Sequence, residues 1–206
     1  KIFSFAYLFR YCNGITNAGN LILLASTLKY GCYYSMFYGC TSLTTAPELP
    51  DTTLADICYQ CMFQGCTSLI STPALPATTL SANCYSSMFK DCTSLVSIPE
   101  ELPATTLTQN CYSEMFRGCT SLTKAPILPA TTSVSNCYLL MFYGCSSLNY
   151  IKCLCTNIAA NATLNWVFKV SSSGTFVKAA NMNDWTRDIS GIPTNWAVED
   201  YVEETN

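Results

Sequence analysis

Residues 84–107 read C-Y-S-S-M-F-K-D-C-T-S-L-V-S-I-P-E-E-L-P-A-T-T-L, and further copies of this pattern open at Cys32, Cys58, Cys111 and Cys137. The openings fall 26, 26, 27 and 26 residues apart. A period between about 20 and 50 residues marks a chain of stacked units, each burying its apolar side only against its neighbours. A Met-Phe pair recurs at Met36–Phe37, Met62–Phe63, Met88–Phe89, Met115–Phe116 and Met141–Phe142. Three residues later comes a second cysteine (Cys40, Cys66, Cys92, Cys119, Cys145), and three further on a leucine (Leu43, Leu69, Leu95, Leu122, Leu148). The copies align without gaps except for one extra residue at Glu100–Glu101.

Within a copy, Cys84, Met88, Phe89 and Cys92 sit at i, i+4, i+5 and i+8, a spacing that predicts one stripe of a short helix. Leu95-Val96-Ser97-Ile98 then predicts a short strand, ended by Pro99, which cannot donate to a sheet ladder. The proline-bearing Leu102–Leu107 reads as an extended return segment. The expected fold is therefore an α/β repeat solenoid of about six coils, with short parallel strands on one face and short helical turns on the other. It occupies residues 1–155, the first coil incomplete and carried by Leu8–Phe9, Cys12, Ile15 and Leu28. Residues 156–206, where the period fails, are expected to cap it.

Composition narrows the function. Of 206 residues, 50% are hydrophobic and only 11% charged, with a formal net charge of −3 and no histidine. A weakly acidic chain with scattered Lys and Arg lacks the basic footprint that nucleic acid requires. No apolar run approaches the roughly 20 residues of a membrane span, so neither nucleic acid nor direct membrane insertion is expected. The missing histidine removes the commonest general base and metal ligand. Without paired carboxylates at matched positions or a Gly-rich phosphate loop, no catalytic residue, metal or cofactor is expected.

Fourteen cysteines invite a disulfide reading. On the expected helix, however, Cys84 and Cys92 would lie about 12 Å apart at 1.5 Å per residue, and a disulfide needs its Cα atoms within about 7 Å. Pairing between neighbouring copies is geometrically easier but leaves one of five openers over. The spacing favours small, buried thiols stacked as a ladder. The tyrosine after each opener (Tyr33, Tyr59, Tyr85, Tyr112, Tyr138) is expected to form a second ladder along the edge, its hydroxyls reaching water.

The string M-F-x-G-C-T-S-L resembles the A-F-x-x-C-x-x-L core of the BspA-like bacterial surface leucine-rich repeats. It is especially similar to the Met-Phe variant of that repeat found in gut bacterial and mycoplasma surface proteins. The likeness runs from roughly residue 6 to residue 153, with Cys-Tyr standing where that repeat has an aliphatic residue and Gly. The resemblance implies a leucine-rich-repeat right-handed superhelix whose aromatic, cysteine and leucine point into the core. It also implies a bacterial protein, exported or at the cell surface, that recognises a protein or glycan in adhesion or host contact. The alternative is a structural spacer that displays another domain and binds nothing itself.

A binding surface should vary from copy to copy. After each Phe come Tyr38, Gln64, Lys90, Arg117 and Tyr143; two residues past each leucine come Thr45, Ser71, Ser97, Lys124 and Tyr150. Both columns are expected to face solvent, and the later copies carry the groups that interface anchors are commonly made of. Arg117, Lys124, Tyr143 and Tyr150 are thus the candidate partner-binding residues. In the C-terminal segment Trp166, Trp185 and Trp196 are expected to cover the last coil, with Thr175–Lys178 as a last strand and a frayed polar tail from Glu199 to Asn206.

Overall fold

The computed structural model describes residues 2–23 and 27–202. Successive copies lie against one another in register, joined by an alternating pattern of backbone hydrogen bonds. The N–H groups of Tyr85, Ser87, Phe89 and Asp91 donate to the carbonyls of Cys111, Ser113, Met115 and Arg117 in the next copy, at 3.1, 2.8, 2.9 and 2.7 Å. Those of Ser86, Met88, Lys90 and Cys92 turn back to the carbonyl three residues earlier, at 3.1–3.2 Å. Every second amide therefore ties two copies together and every other one closes a tight turn, which leaves no donor in this stretch unmet. Every fourth residue is left-handed to allow this: Asn83 (φ 55°), Ser87 (54°) and Asp91 (60°).

This corrects the expected architecture. An α-helix needs right-handed dihedrals throughout and bonds from i to i−4; among the described residues there is no helix. Among the same residues strand is confined to β1 (Tyr150–Cys153), β2 (Thr175–Ala179) and β3 (Ala197–Tyr201), parallel neighbours in one open sheet of order β1-β2-β3. The chain is thus not the α/β leucine-rich-repeat solenoid of helix-and-strand coils that the pattern suggested. It is a stack of turn ribbons. A run of four-residue turns repeats its side chains every four residues. Over eight residues that makes the same apolar stripe as a 3.6-residue helix. The expected strand Leu95–Ile98 shrinks to a single parallel bridge, Ser71 to Ser97.

The core is a set of columns running through the stack. Phe37, Phe63, Phe89, Phe116 and Phe142 lie ring on ring with centroids 5.5–6.0 Å apart, and Tyr33, Tyr59, Tyr85, Tyr112 and Tyr138 do the same at 5.8–6.1 Å. Offset parallel pairs of this kind contribute about 0.5–1.5 kcal/mol each beyond their buried area. The tyrosines are not an edge ladder with wet hydroxyls, as expected, but fully buried. Tyr59 donates to Asp51 at 2.8 Å, whereas the Tyr112 hydroxyl is buried with no partner.

The second cysteine of each copy has a reason to be cysteine. Cys66, Cys92, Cys119 and Cys145 point Sγ at the carbonyl of the Phe one copy back (Phe37, Phe63, Phe89 and Phe116) at 3.0–3.1 Å. That carbonyl also accepts the N–H of its own copy's cysteine, as Phe63 does from Cys66 at 3.1 Å. A thiol is small and apolar enough for this buried site and still donates to the carbonyl's second lone pair. All fourteen cysteines are free.

The ribbon continues past the point where the period seemed to fail. The N–H groups of Tyr138, Leu140, Phe142 and Gly144 donate to Ala162, Leu164, Trp166 and Phe168 at 2.8–3.1 Å. Asn161, Asn165 and Lys169 carry the left-handed dihedral at every fourth position. Trp166 closes both ring columns at once, 6.2 Å from Tyr138 and 6.0 Å from Phe142, and Trp185 stacks on its other side at 5.6 Å. Indole donors anchor the segment: Trp166 Nε1 to Gly191 O and Trp196 Nε1 to Ser171 O, both 2.8 Å. The expected last strand is the middle one, β2, since β3 follows it. β3 also takes in Glu199–Tyr201 of the tail expected to fray; Glu203–Asn206 lie outside the described residues.

Candidate functional site

The turn side of the stack presents the column after each Phe. Here Glu114 accepts from Lys90 Nζ and from Arg117, each at 2.7 Å, so three charges from two copies form one cluster. The Arg117 guanidinium also lies over the Tyr143 ring at 4.9 Å, and Tyr143 packs on Phe168 at 5.1 Å. Burial would raise the Glu114 carboxyl, but its hydrogen bonds to Lys90 and Arg117 outweigh that and hold it below the usual carboxylate range. Arg117 and Tyr143 are therefore occupied in holding copies together. The sequence reading missed Glu114, although an acid three residues before Arg117, where the other copies have Ser35, Cys61, Ser87 and Leu140, was its signal.

The opposite column runs through the bridges. Thr45, Ser71, Ser97 and Lys124 are exposed and Tyr150 is half-buried at the start of β1. Lys124 and Tyr150 pair as a parallel bridge, and the Lys124 ammonium lies 5.3 Å from the centre of the Tyr150 ring. Among the described residues Lys124 has no ion pair. The four candidates are thus brought together as two pairs, of which only Lys124 and Tyr150 keep a charge free for a partner.

Beside Lys124 the stack opens. A cavity of about 310 Å³ is lined by Val96, Ser97, Ile98, Pro99, Glu100 and Lys124, with Ala125. A second, of about 430 Å³, adjoins it through the shared Ser97, Ile98 and Pro99, and includes Glu101 and Pro103. Both lie where the repeat carries its extra residue. There Ile127 donates to Glu100 O at 2.7 Å while Leu102 donates to Ile127 O at 3.1 Å, so the added residue is accommodated without losing the tie between copies. Two large aliphatic side chains, Ile70 and Val96, are 51% and 54% exposed on this side.

The setting of most thiols keeps them protonated. Burial pushes Cys66, Cys84, Cys111, Cys137 and Cys145 up to about 12, and the half-buried Cys61 up to about 11 despite the pull of Lys90. A thiol held protonated at neutral pH is a poor nucleophile and a poor metal ligand. Among the described residues no group of three or more Cys, Asp or Glu side chains is placed to hold a metal ion, and no helix is long and apolar enough to cross a membrane.

Compared with protein-family models, with curated proteins and with solved structures, the chain matches none. The BspA-like leucine-rich-repeat assignment suggested by the M-F-x-G-C-T-S-L string is corrected accordingly. No family model supports it, and the turn ribbons lack the helix-and-strand coil it implies.

Proposed function

We propose that this chain is a recognition module, displayed at a cell surface or secreted, that holds a protein or glycan partner against its bridge side and performs no chemistry of its own. The observation that supports the reading is the break in the repeat at Glu100–Glu101. There alone among the five copies an inserted residue coincides with two adjoining cavities, two exposed aliphatics and an ammonium without an ion pair. A column that only packs would repeat one residue, whereas this side changes from Thr45 to Ser71, Ser97, Lys124 and Tyr150. Aromatic and cationic groups beside an apolar recess are the usual makings of an interface anchor.

The test is a panel of extracellular matrix proteins and glycans probed with the parent, with Lys124→Ala/Tyr150→Ala, and with Thr45→Ala/Ser71→Ala. Binding is expected to fall only in the first double variant. Equal binding by both variants removes the bridge side as the site. A second reading has its own support in the near-constant spacing of the ring columns, which suits a rigid spacer. A parent chain that binds nothing in the panel favours that spacer. Labelling of intact cells with an antibody to the chain tests its display, and signal only after lysis counts against it.

A further inference from the structure

A third cavity, of about 520 Å³, lies in the C-terminal segment between the last turn ribbon and the loop that follows β2. It is within the range typical of small-molecule sites. Its wall includes Asn157, Asn161, Asp184, Thr186 and the indole of Trp185. Three features define what would fit. Among the described residues the side chains of Asn157, Asn161 and Asp184 have no partner, so amide donors, amide acceptors and a carboxylate are all free. No lysine or arginine lines the cavity, so nothing there would stabilise a phosphate, sulfate or carboxylate ligand. Trp185 supplies a flat apolar wall held rigid by stacking on Trp166 at 5.6 Å and 4°, and its Nε1 is buried with no acceptor among the described residues.

A rigid indole beside several unpaired amide, hydroxyl and carboxylate groups matches a ligand with apolar C–H faces and many hydroxyls. We propose that this cavity binds a neutral saccharide, its ring against Trp185 and its hydroxyls bonded to Asn157, Asn161 and Asp184. The proposal deepens the recognition reading by naming a sugar for a site away from Lys124 and Tyr150. The absence of a lining cation disfavours sulfated and sialylated sugars, because Asp184 would repel them.

The experiment titrates the full chain with neutral mono- and oligosaccharides and with sulfated counterparts, read by saturation-transfer NMR and tryptophan fluorescence. At least one neutral sugar is expected to bind and to perturb the emission, more tightly than its sulfated form. Asn157→Ala and Asp184→Ala, at exposed positions with no side-chain bonds to lose, are each expected to weaken binding about tenfold or more. Thr45→Ala/Ser71→Ala, which touches neither site, should leave it unchanged. Silence across the neutral panel, or binding that survives both cavity substitutions, overturns the proposal. If those results come with partner binding that still depends on Lys124 and Tyr150, the broader recognition reading stands and only the sugar site falls.

Discussion

The five copies between Cys32 and Leu148 and the segment from residue 156 onward meet the same physical needs by opposite means. In the copies the repeating demands are met by an identical neighbour: ring on ring, thiol to carbonyl, alternate amide to alternate carbonyl. In the C-terminal segment the same demands are met once each. One indole covers two ring columns, a second covers the first, and the Arg187 guanidinium binds the carbonyls of Thr194 and Trp196 at 2.7 Å. Repetition lets a short pattern stabilise an indefinite stack, but it cannot end one. The end needs side chains that appear nowhere else, and all three tryptophans of the chain are there.

The sharpest way to separate the two regions is alkali. Every cysteine lies at or before Cys155, so a titration of thiols acts outside the segment that begins at residue 156. The unfolded thiol ionises near 9.0, while five buried ones keep their protons to about 12. Above pH 9 the unfolded chain therefore sheds protons that the folded chain holds, and stability falls as pH rises; below pH 9 these groups contribute no slope. At about 1.4 kcal/mol per thiol per pH unit, five thiols remove about 7 kcal/mol at pH 10, comparable with the whole stability of a domain. The folded state is expected to collapse between pH 9 and 11, with tryptophan emission changing in the same transition. Emission that holds while circular dichroism of the copies is lost would make residues 156–202 a separate unit.

Substitution probes the joint directly. Trp166→Ala should cost about 3–5 kcal/mol, as much as Phe89→Ala in mid-stack, because each removes a fully buried ring. The consequences should differ. Phe89→Ala leaves a cavity between two rings, but Trp166→Ala uncovers the ends of both columns, so only the latter should bind a hydrophobic dye and aggregate. Urea unfolding with dye binding checks both, and a Trp166→Ala loss under about 1 kcal/mol would remove the cap from its role.

Within the copies, one position breaks the rule its neighbours keep. The residue before each opener is left-handed: Gly31, Asn83, Asn110 and Asn136 suit that region, but the second copy places Ile57 there at φ 61°. A β-branched residue is strained in this conformation, at a cost of about 1–2 kcal/mol. Ile57→Asn should therefore stabilise by about 1 kcal/mol in thermal unfolding, and Asn83→Ile should destabilise by a similar amount. No change in either would mean that neighbouring packing sets the dihedral at no cost.

That position also shows what was legible beforehand. The period, the buried columns and the reduced cysteines follow from residue spacing and thiol size alone. The turn geometry was hidden because four-residue turns and a helix bury the same residues over so short a stretch. The clue lay in the asparagines and glycines recurring four and eight residues apart, as in Asn136 and Gly144, which an α-helix has no use for. The same clue exposes the ribbon at residues 161–170. Ala162-Thr163-x-x-Trp166-Val167-x-x-Val170 repeats the spacing of Cys137-Tyr138-x-x-Met141-Phe142-x-x-Cys145, with Asn161 and Asn165 marking the turns. Of the candidate binding residues, spacing placed Arg117 and Tyr143 in one column and Lys124 and Tyr150 in the other. It could not show that Lys90 joins Glu114 and Arg117 in one cluster, because that lysine comes from a different copy.

The smallest expected effect tests that last point. Glu114→Gln removes the carboxylate shared by Lys90 and Arg117 and leaves two cations facing each other across adjacent copies. The groups retain 21–35% of their side-chain exposure, so solvent screens the interaction and the loss should be only about 0.5–1 kcal/mol at pH 7. Because the folded Glu114 carboxyl is held below its ordinary value, its contribution is full above the unfolded pKa and fades as pH falls through the folded one. Parent and variant should therefore differ at pH 7 and converge toward pH 3, and high salt should narrow the gap at pH 7. A difference that persists at pH 3 would assign the loss to packing rather than charge. Arg117 would then be free to meet a partner, and the turn side would rejoin the bridge side as a candidate surface.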